Sequence, residues 1–521
     1  MILPPYGLSG GSMRFDPGSL VLFVDDSLDS IQAFLTGADT TPGTQAIRIR
    51  SRLVHERDHF FRHLSSSYGM VRYGLHSLMV RQFFQMAMRT NLDQPMTPDG
   101  LLGSDLKALL RKHPSPDVIR ELSRHDAVRP ALMYVAMVEC ILALDGVPAF
   151  LDRGLCTTGI AVWETCSLSM TNRADYGLRN FQQNATPPEA LSKFVDPSDP
   201  FVPLVKGEAF GAEHLLEFFG ILIEFAYLSN QGLDLIESSD LLGMKKYFRV
   251  GSAFFGEFFV DDMEAGKFPA FPVELEAAVD LALAIPLTPT GLQVANRPLT
   301  WYDLHPGWRF LSICRHYKSS KKSWTTIPPD DESFDGYDAA FRSIQAEVCD
   351  ALGWPRVENI ESRWSSFLAE LQREPVHHPF AVDLRGSGRQ RIARHLFEER
   401  QKSPYSMFLK RRSGAVDREL FFPAVVSREG MTAFGGLHWQ DRDGDPTNWD
   451  EFLMLTGCRF FAEGFAQHEH VRFEQAVGAA ELISKCSAIF GADQDRVETV
   501  LARLLNLDSY RKFEAWISSK R

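Results

Sequence analysis

His55, Glu56 and His59 form a His-Glu-x-x-His pattern inside the run Leu53-Val54-His55-Glu56-Arg57-Asp58-His59-Phe60-Phe61. On an α-helix, residues four apart lie one turn apart on one face, so both imidazoles can reach one metal ion. Glu56 stands beside them, placed to take a proton from a water on that metal. A catalytic zinc site has three protein ligands and keeps its remaining position open. His63 continues the spacing, but eight residues of helix rise about 12 Å, too far for His55 and His63 to share an ion. A His six residues after His59 is also missing, because position 65 is Ser. The third ligand must therefore come from another part of the chain. Glu217 and Glu463, 158 and 404 residues beyond His59, are the candidates, each within a stretch of helical character. The competing reading is a charge-rich surface helix carrying two solvated histidines.

The spacing of the motif predicts a helix over residues 45–68, where neither Pro nor Gly interrupts the chain. Leu53, Phe60, Phe61 and Leu64 form an apolar stripe along it, and Gly69 is its expected stop. Further helices are expected at 71–90, 103–126, 129–145, 209–231 and 274–285, then from Trp301 through Tyr317, and at 338–351 and 358–372. The helix at 209–231 is apolar nearly all round, which implies burial. Its Glu217 and Glu224 share a face; in such surroundings a carboxylate is paired, protonated or bound to metal. Leu20-Val21-Leu22-Phe23-Val24 reads as a buried strand. Residues 184–208 read as a long connection. The expected fold class is mainly α with a few β-strands (α+β). Its division is a metal-site domain over 1–317, a linker or exposed loop over 318–337, and a helical C-terminal domain over 338–521.

A net charge of −12 argues against a nucleic-acid-binding surface as the main function, although residues 385–412 hold seven Arg and two Lys. That basic stretch reads as a solvated face. The N-terminus shows no basic segment followed by an apolar run, and the most apolar helix carries Glu217 and Glu224, so neither a secretory signal nor a membrane span is expected. Seven scattered cysteines contain no Cys-x-x-Cys pair and indicate neither a disulfide framework nor a cysteine zinc site. A reducing cytoplasm is the expected location. Gly7-Leu8-Ser9-Gly10-Gly11 matches a nucleophile pattern by letter but lacks room for the strand and helix it requires. Asp441-Arg442-Asp443-Gly444-Asp445 departs from a calcium loop in its Gly position and closing Glu, and reads as a turn.

The motif helix resembles that of the zincin metallopeptidases, in particular the branch with a Glu as third ligand. In aminopeptidases of that branch the ligand lies in a Glu-Gly-Phe-Ala segment, which Glu463-Gly464-Phe465-Ala466 matches, although there it follows the second His by about twenty residues. The chain is also similar to uncharacterised bacterial His-Glu-x-x-His proteins. The residues that carry this likeness are Ser67-Tyr68-Gly69, Gly211-Ala212 leading to Glu217, and Pro306-Gly307-Trp308-Arg309-Phe310. This second resemblance implies Glu217 as the ligand, with Glu463 the alternative. Together the two imply a zincin-like helical core with large helical additions, without fixing a substrate; the leading expectation is a peptidase that binds Zn2+ and acts on a protein or peptide with Glu56 as the base. Tyr302, His305 and Arg309 are the candidates for contacting an oxyanion or the substrate. The opposing expectation is a non-catalytic scaffold or regulatory protein with a structural or degenerate motif helix.

Overall fold

A computed structural model describes residues 13–16, 21–24, 44–89, 129–147, 153–160, 163, 181–182, 186–231, 247–255, 273–289, 291–293, 297–319, 334–373, 389–405, 424–427, 430–432 and 495. The described chain is mainly α with a few short strands, as the periodicity predicts. Its helices are α1 (Thr44–Ser65), α2 (Ser67–Arg89), α3 (Arg129–Asp145), α4 (Ala212–Asn230), α5 (Arg249–Phe255), α6 (Val273–Leu283), α7 (Trp301–Leu304), α8 (Pro306–Ser319), α9 (Phe334–Leu352), α10 (Val357–Arg373) and α11 (Arg389–Lys402). Its strands are β1 (Met13–Asp16), β2 (Val21–Val24), β3 (Phe181–Gln182), β4 (Val195–Asp196), β5 (Asp199–Val205), β6 (Glu208–Ala209), β7 (Leu287–Thr288), β8 (Gly291–Leu292), β9 (Leu299–Thr300), β10 (Ala424–Ser427) and β11 (Gly430–Thr432), of which β1–β2–β10–β11 form a four-stranded sheet in that order. β2 runs parallel to β10, and both outer pairs are antiparallel.

The motif helix is not a surface helix. Its side chains from Leu53 to Ser65 are all buried, charged ones included. It lies against α4, α2, α11 and β1, which leaves the Leu53–Ser65 part no solvated face. The charges are met internally: Arg62 donates to Asp58 at 2.6 Å and lies 4.5 Å over the Phe219 ring of α4. α4 is apolar round its circumference because it too is enclosed, with Leu215, Phe218, Phe219, Ile221 and Leu222 all buried.

The helix break falls at Ser66 rather than at Gly69. The Ser66 hydroxyl accepts the Gly69 N–H at 3.1 Å, so Ser66 caps α2 at its start. Gly69 sits inside α2 for a packing reason: a Cβ there would lie 2.2 Å from the His63 carbonyl oxygen. The stretch 184–208 is also more ordered than a plain connection. It holds a short 3-10 helix (Glu189–Phe194), β4 (Val195–Asp196), all of β5 (Asp199–Val205) and the start of β6 (Glu208–Ala209), the three strands forming a small antiparallel sheet. The helix expected from Trp301 through Tyr317 is two helices. Thr300 and Asp303 form a capping box on α7, and Pro306 then opens α8 at the position where a missing N–H costs nothing.

One hydrophobic core runs from Phe15 to Phe397 and includes residues on both sides of the stretch expected as a linker, of which 320–333 lie outside the described residues. Trp163 of the first part and Trp364 of α10 meet at 6.3 Å between ring centroids, and the Trp364 indole donates to the Leu287 carbonyl at 3.1 Å. A buried ionic cluster also crosses this region. Arg400 of α11 donates to Asp280 of α6 at 2.7 Å and to Glu361 of α10 at 2.8 Å, while Gln345 of α9 reaches the same Asp280 at 2.8 Å. The expected helix at 103–126, the 441–445 turn, the Gly7–Gly11 segment and the stretch around Glu463 lie outside the described residues. Among the described residues, no helix is long and apolar enough to cross a membrane.

Candidate metal centre

α1 and α4 pack side by side, and their contact places Glu217 against the two motif histidines. The Nε2 atoms of His55 and His59 lie 3.0 Å apart. Glu217 Oε2 is 3.3 Å from His55 Nε2, and Glu217 Oε1 is 3.3 Å from His59 Nε2. All three side chains are buried, at 4, 1 and 1% exposure. They are the only cluster of three or more His, Cys, Asp or Glu side chains among the described residues arranged to hold a metal ion. Of the two candidate third ligands, the structure brings Glu217 to the pair; Glu463 lies outside the described residues.

Gly220 makes the helix contact possible. It follows Glu217 by nearly one turn, and a Cβ there would lie 2.6 Å from His55 Nε2 and 2.8 Å from two ring carbons. An interior glycine costs a helix about 0.5–1 kcal/mol relative to alanine. Here it lets an imidazole lie directly on the α4 backbone.

The donor set fits a metal. Ligand atoms on a tetrahedral zinc, with bonds of about 2.0–2.2 Å, lie about 3.3–3.6 Å apart. Here the two Nε2 atoms are 3.0 Å apart, each lies 3.3 Å from a different oxygen of Glu217, and one ligand atom from each residue falls within 4.8 Å of the other two. Two imidazole nitrogens and a carboxylate oxygen that converge in a buried site repel one another unless protons or a cation lie between them. Without a metal, protons take that place. Burial works against charge on His55, but hydrogen bonds to Glu217 and Glu224 prevail and raise its pKa well above the usual imidazole value. Burial likewise opposes ionisation of Glu217, yet the adjacent His59 and His55 hold its carboxyl well below the usual range.

Glu56 turns from the same helix toward β1. Its Oε2 accepts the Phe15 N–H at 2.8 Å. The buried Phe15 ring lies over the motif helix, 6.4 Å from the His59 ring and 5.4 Å from that of His63. Burial pushes the Glu56 carboxyl up; the charges of His55 and His59 oppose the shift without cancelling it. A carboxylate with a raised pKa is better matched to proton transfer near neutrality than an ordinary one. His63 faces away from this work: its Nδ1 bonds to the His59 carbonyl at 2.8 Å, and burial keeps the ring neutral.

Tyr302, His305 and Arg309 are buried in the core, His305 and Arg309 held by hydrogen bonds and Tyr302 by ring packing. Arg309 donates to the carbonyls of Leu281, Ala284 and Asp303 at 2.8, 3.1 and 2.9 Å, and its guanidinium stacks 3.9 Å over Trp354. It thereby satisfies the open carbonyl end of α6. His305 Nε2 bonds to the Ala143 carbonyl at 2.7 Å, and its Nδ1 accepts the N–H groups of Gly307 and Trp308 at the start of α8. Tyr302 packs edge-on against Trp308, 5.4 Å between centroids.

Three neighbours of the site are not marked by the motif: Gly220, Tyr247 and Phe15. Tyr247, fully buried, donates to Glu213 at 3.3 Å. Burial, the Glu217 charge and the Glu213 charge together keep its phenol protonated. Gly220 had a local signal, a glycine in the middle of an otherwise strong helix. Phe15 had none, since a strand approaching from outside the helix leaves no trace in the spacing of the motif. Comparison with known proteins gives no matching family model, no matching curated protein and no matching solved structure.

Proposed function

We propose that the chain is a metal-dependent hydrolase in which His55, His59 and Glu217 hold a zinc ion and Glu56 is the general base for cleavage of an amide, in the simplest case a peptide bond. The observation that carries this reading is the convergence of Glu217 on two histidines that the sequence already places on one helix face. A bound zinc ion supplies Lewis acidity, acidifying water and polarising a carbonyl. The protein's own part is to fix three ligands on two packed helices and to keep Glu56 one residue from the first of them. The Phe15 N–H occupies Oε2 of Glu56, so the carboxylate has a fixed orientation and Oε1 remains to accept a proton and pass it to a leaving amine.

The depth of the site favours a second reading. Glu56 is 7% exposed and the three candidate ligands less, as befits a metal held to lock α1 onto α4 in a scaffold protein. Glu56→Gln separates the two. The hydrolase reading expects the variant to keep its metal and to lose roughly 10²- to 10⁴-fold in turnover of a peptide library. Metal retained by both proteins with no cleavage by either defeats the hydrolase reading and supports the structural one; equal cleavage by both defeats the role of Glu56 as the base.

A further inference from the structure

We propose that Glu224 is a positioning residue for the centre, fixing the ring of His55 so that Nε2 is its metal-binding nitrogen. This rests on the metal reading above. Glu224 follows Glu217 by two turns of α4, so both carboxylates lie on the face that meets α1. They hold one imidazole from opposite edges: Glu217 Oε2 lies 3.3 Å from His55 Nε2, and Glu224 Oε2 lies 3.3 Å from His55 Nδ1. An ionised carboxylate only accepts, so Nδ1 keeps its proton toward Glu224, and a metal that takes the proton's place between Nε2 and Glu217 would find the Nε2 lone pair aimed at it. Glu224 is itself held. The Ser51 hydroxyl, one turn before His55 on α1, reaches Glu224 Oε1 at 3.1 Å and shares its single proton with the Arg48 carbonyl at 2.8 Å.

His59 has no such arrangement. Its Nδ1 is buried without a hydrogen-bond partner among the described residues, and its orientation comes from packing beneath Phe15. The support for ligand geometry is therefore concentrated on His55, through Ser51 and Glu224. Partners of this kind typically change metal affinity by about 10- to 100-fold when removed.

The test measures zinc affinity by chelator competition, the visible spectrum of the cobalt(II)-loaded protein, and thermal unfolding of the metal-free protein. The variants are Glu224→Ala, Glu224→Gln and Ser51→Ala. Glu224→Ala is expected to weaken zinc binding by about 10- to 100-fold and to alter the cobalt spectrum, while the metal-free protein unfolds as the parent does. Glu224→Gln, whose amide oxygen still accepts from Nδ1, is expected to lose less, and Ser51→Ala less again. Glu224→Ala binding zinc within about twofold of the parent, with an unchanged cobalt spectrum, overturns the proposal. So does an equal loss in the Ala and Gln variants together with early unfolding, which identifies a packing role. Glu217→Ala is the reference: if it abolishes binding while Glu224→Ala does not, the metal reading stands and only this proposal falls. A parent protein that binds neither zinc nor cobalt removes both.

Discussion

Gly220→Ala tests the closeness of α1 and α4 with one methyl group. The added Cβ would meet His55 Nε2 at 2.6 Å and two ring carbons at 2.8 Å, where ordinary contact begins at 3.4 Å. Relief requires the ring or the helix to move by about 0.8 Å, and Glu217, Glu224 and His59 surround the ring. Two opposing effects act on stability. Alanine gains about 0.5–1 kcal/mol over glycine inside a helix. Overpacking costs about 1–3 kcal/mol. The net is a loss of about 0–2.5 kcal/mol, read as a modest fall in the denaturation midpoint. The metal site tolerates far less, since ligand distances must hold to about ±0.2 Å. Zinc affinity by chelator competition is therefore expected to drop by at least about tenfold, out of proportion to the change in folding. A variant that is more stable than the parent and binds zinc equally well would show that the helices do not meet as described.

Two further predictions concern the surrounding core. Asp303 accepts from Arg297, Thr300 and Trp354; burial opposes its ionisation, but the Arg297 guanidinium and these hydrogen bonds prevail and lower its pKa. Its contribution is thus present above the unfolded value of about 3.9 and disappears as pH falls through the lower folded value. Asp303→Asn should cost about 1–3 kcal/mol at neutral pH and flatten the stability profile below about pH 4; an unchanged acid limb in urea titrations refutes the assignment. Arg400→Met leaves Asp280 and Glu361 buried with their shared cation gone, an expected loss of about 3–5 kcal/mol in denaturant unfolding. A loss below about 1 kcal/mol would mean that the cluster is hydrated or open.

The site was legible to the extent that it is local. His55, Glu56 and His59 follow from one turn of helix, and α4 announces itself by its apolar run. That Glu217 reaches the pair depends on a helix contact between residues some 160 positions apart, which no periodicity encodes. Helix boundaries depart from the sequence pattern where side chains override local preference. Gly69 looks like a helix stop but serves a close approach to His63, and Ser66 ends the helix by capping the next one. The aromatic and basic cluster at 301–310 has the composition of a pocket. In the fold Arg309 donates to the end of α6 and His305 accepts at the start of α8, a use that composition alone does not separate from catalysis. The parallel pairing of β2 with β10 joins segments about 400 residues apart and was equally invisible.

The central claim is that three side chains on two helices hold one ion. Elemental analysis of the purified chain beside its Glu217→Ala variant measures this directly. About one zinc per chain in the parent and almost none in the variant is the predicted result. A parent free of metal that takes up none when zinc is supplied, or a variant that retains its zinc in full, would contradict it.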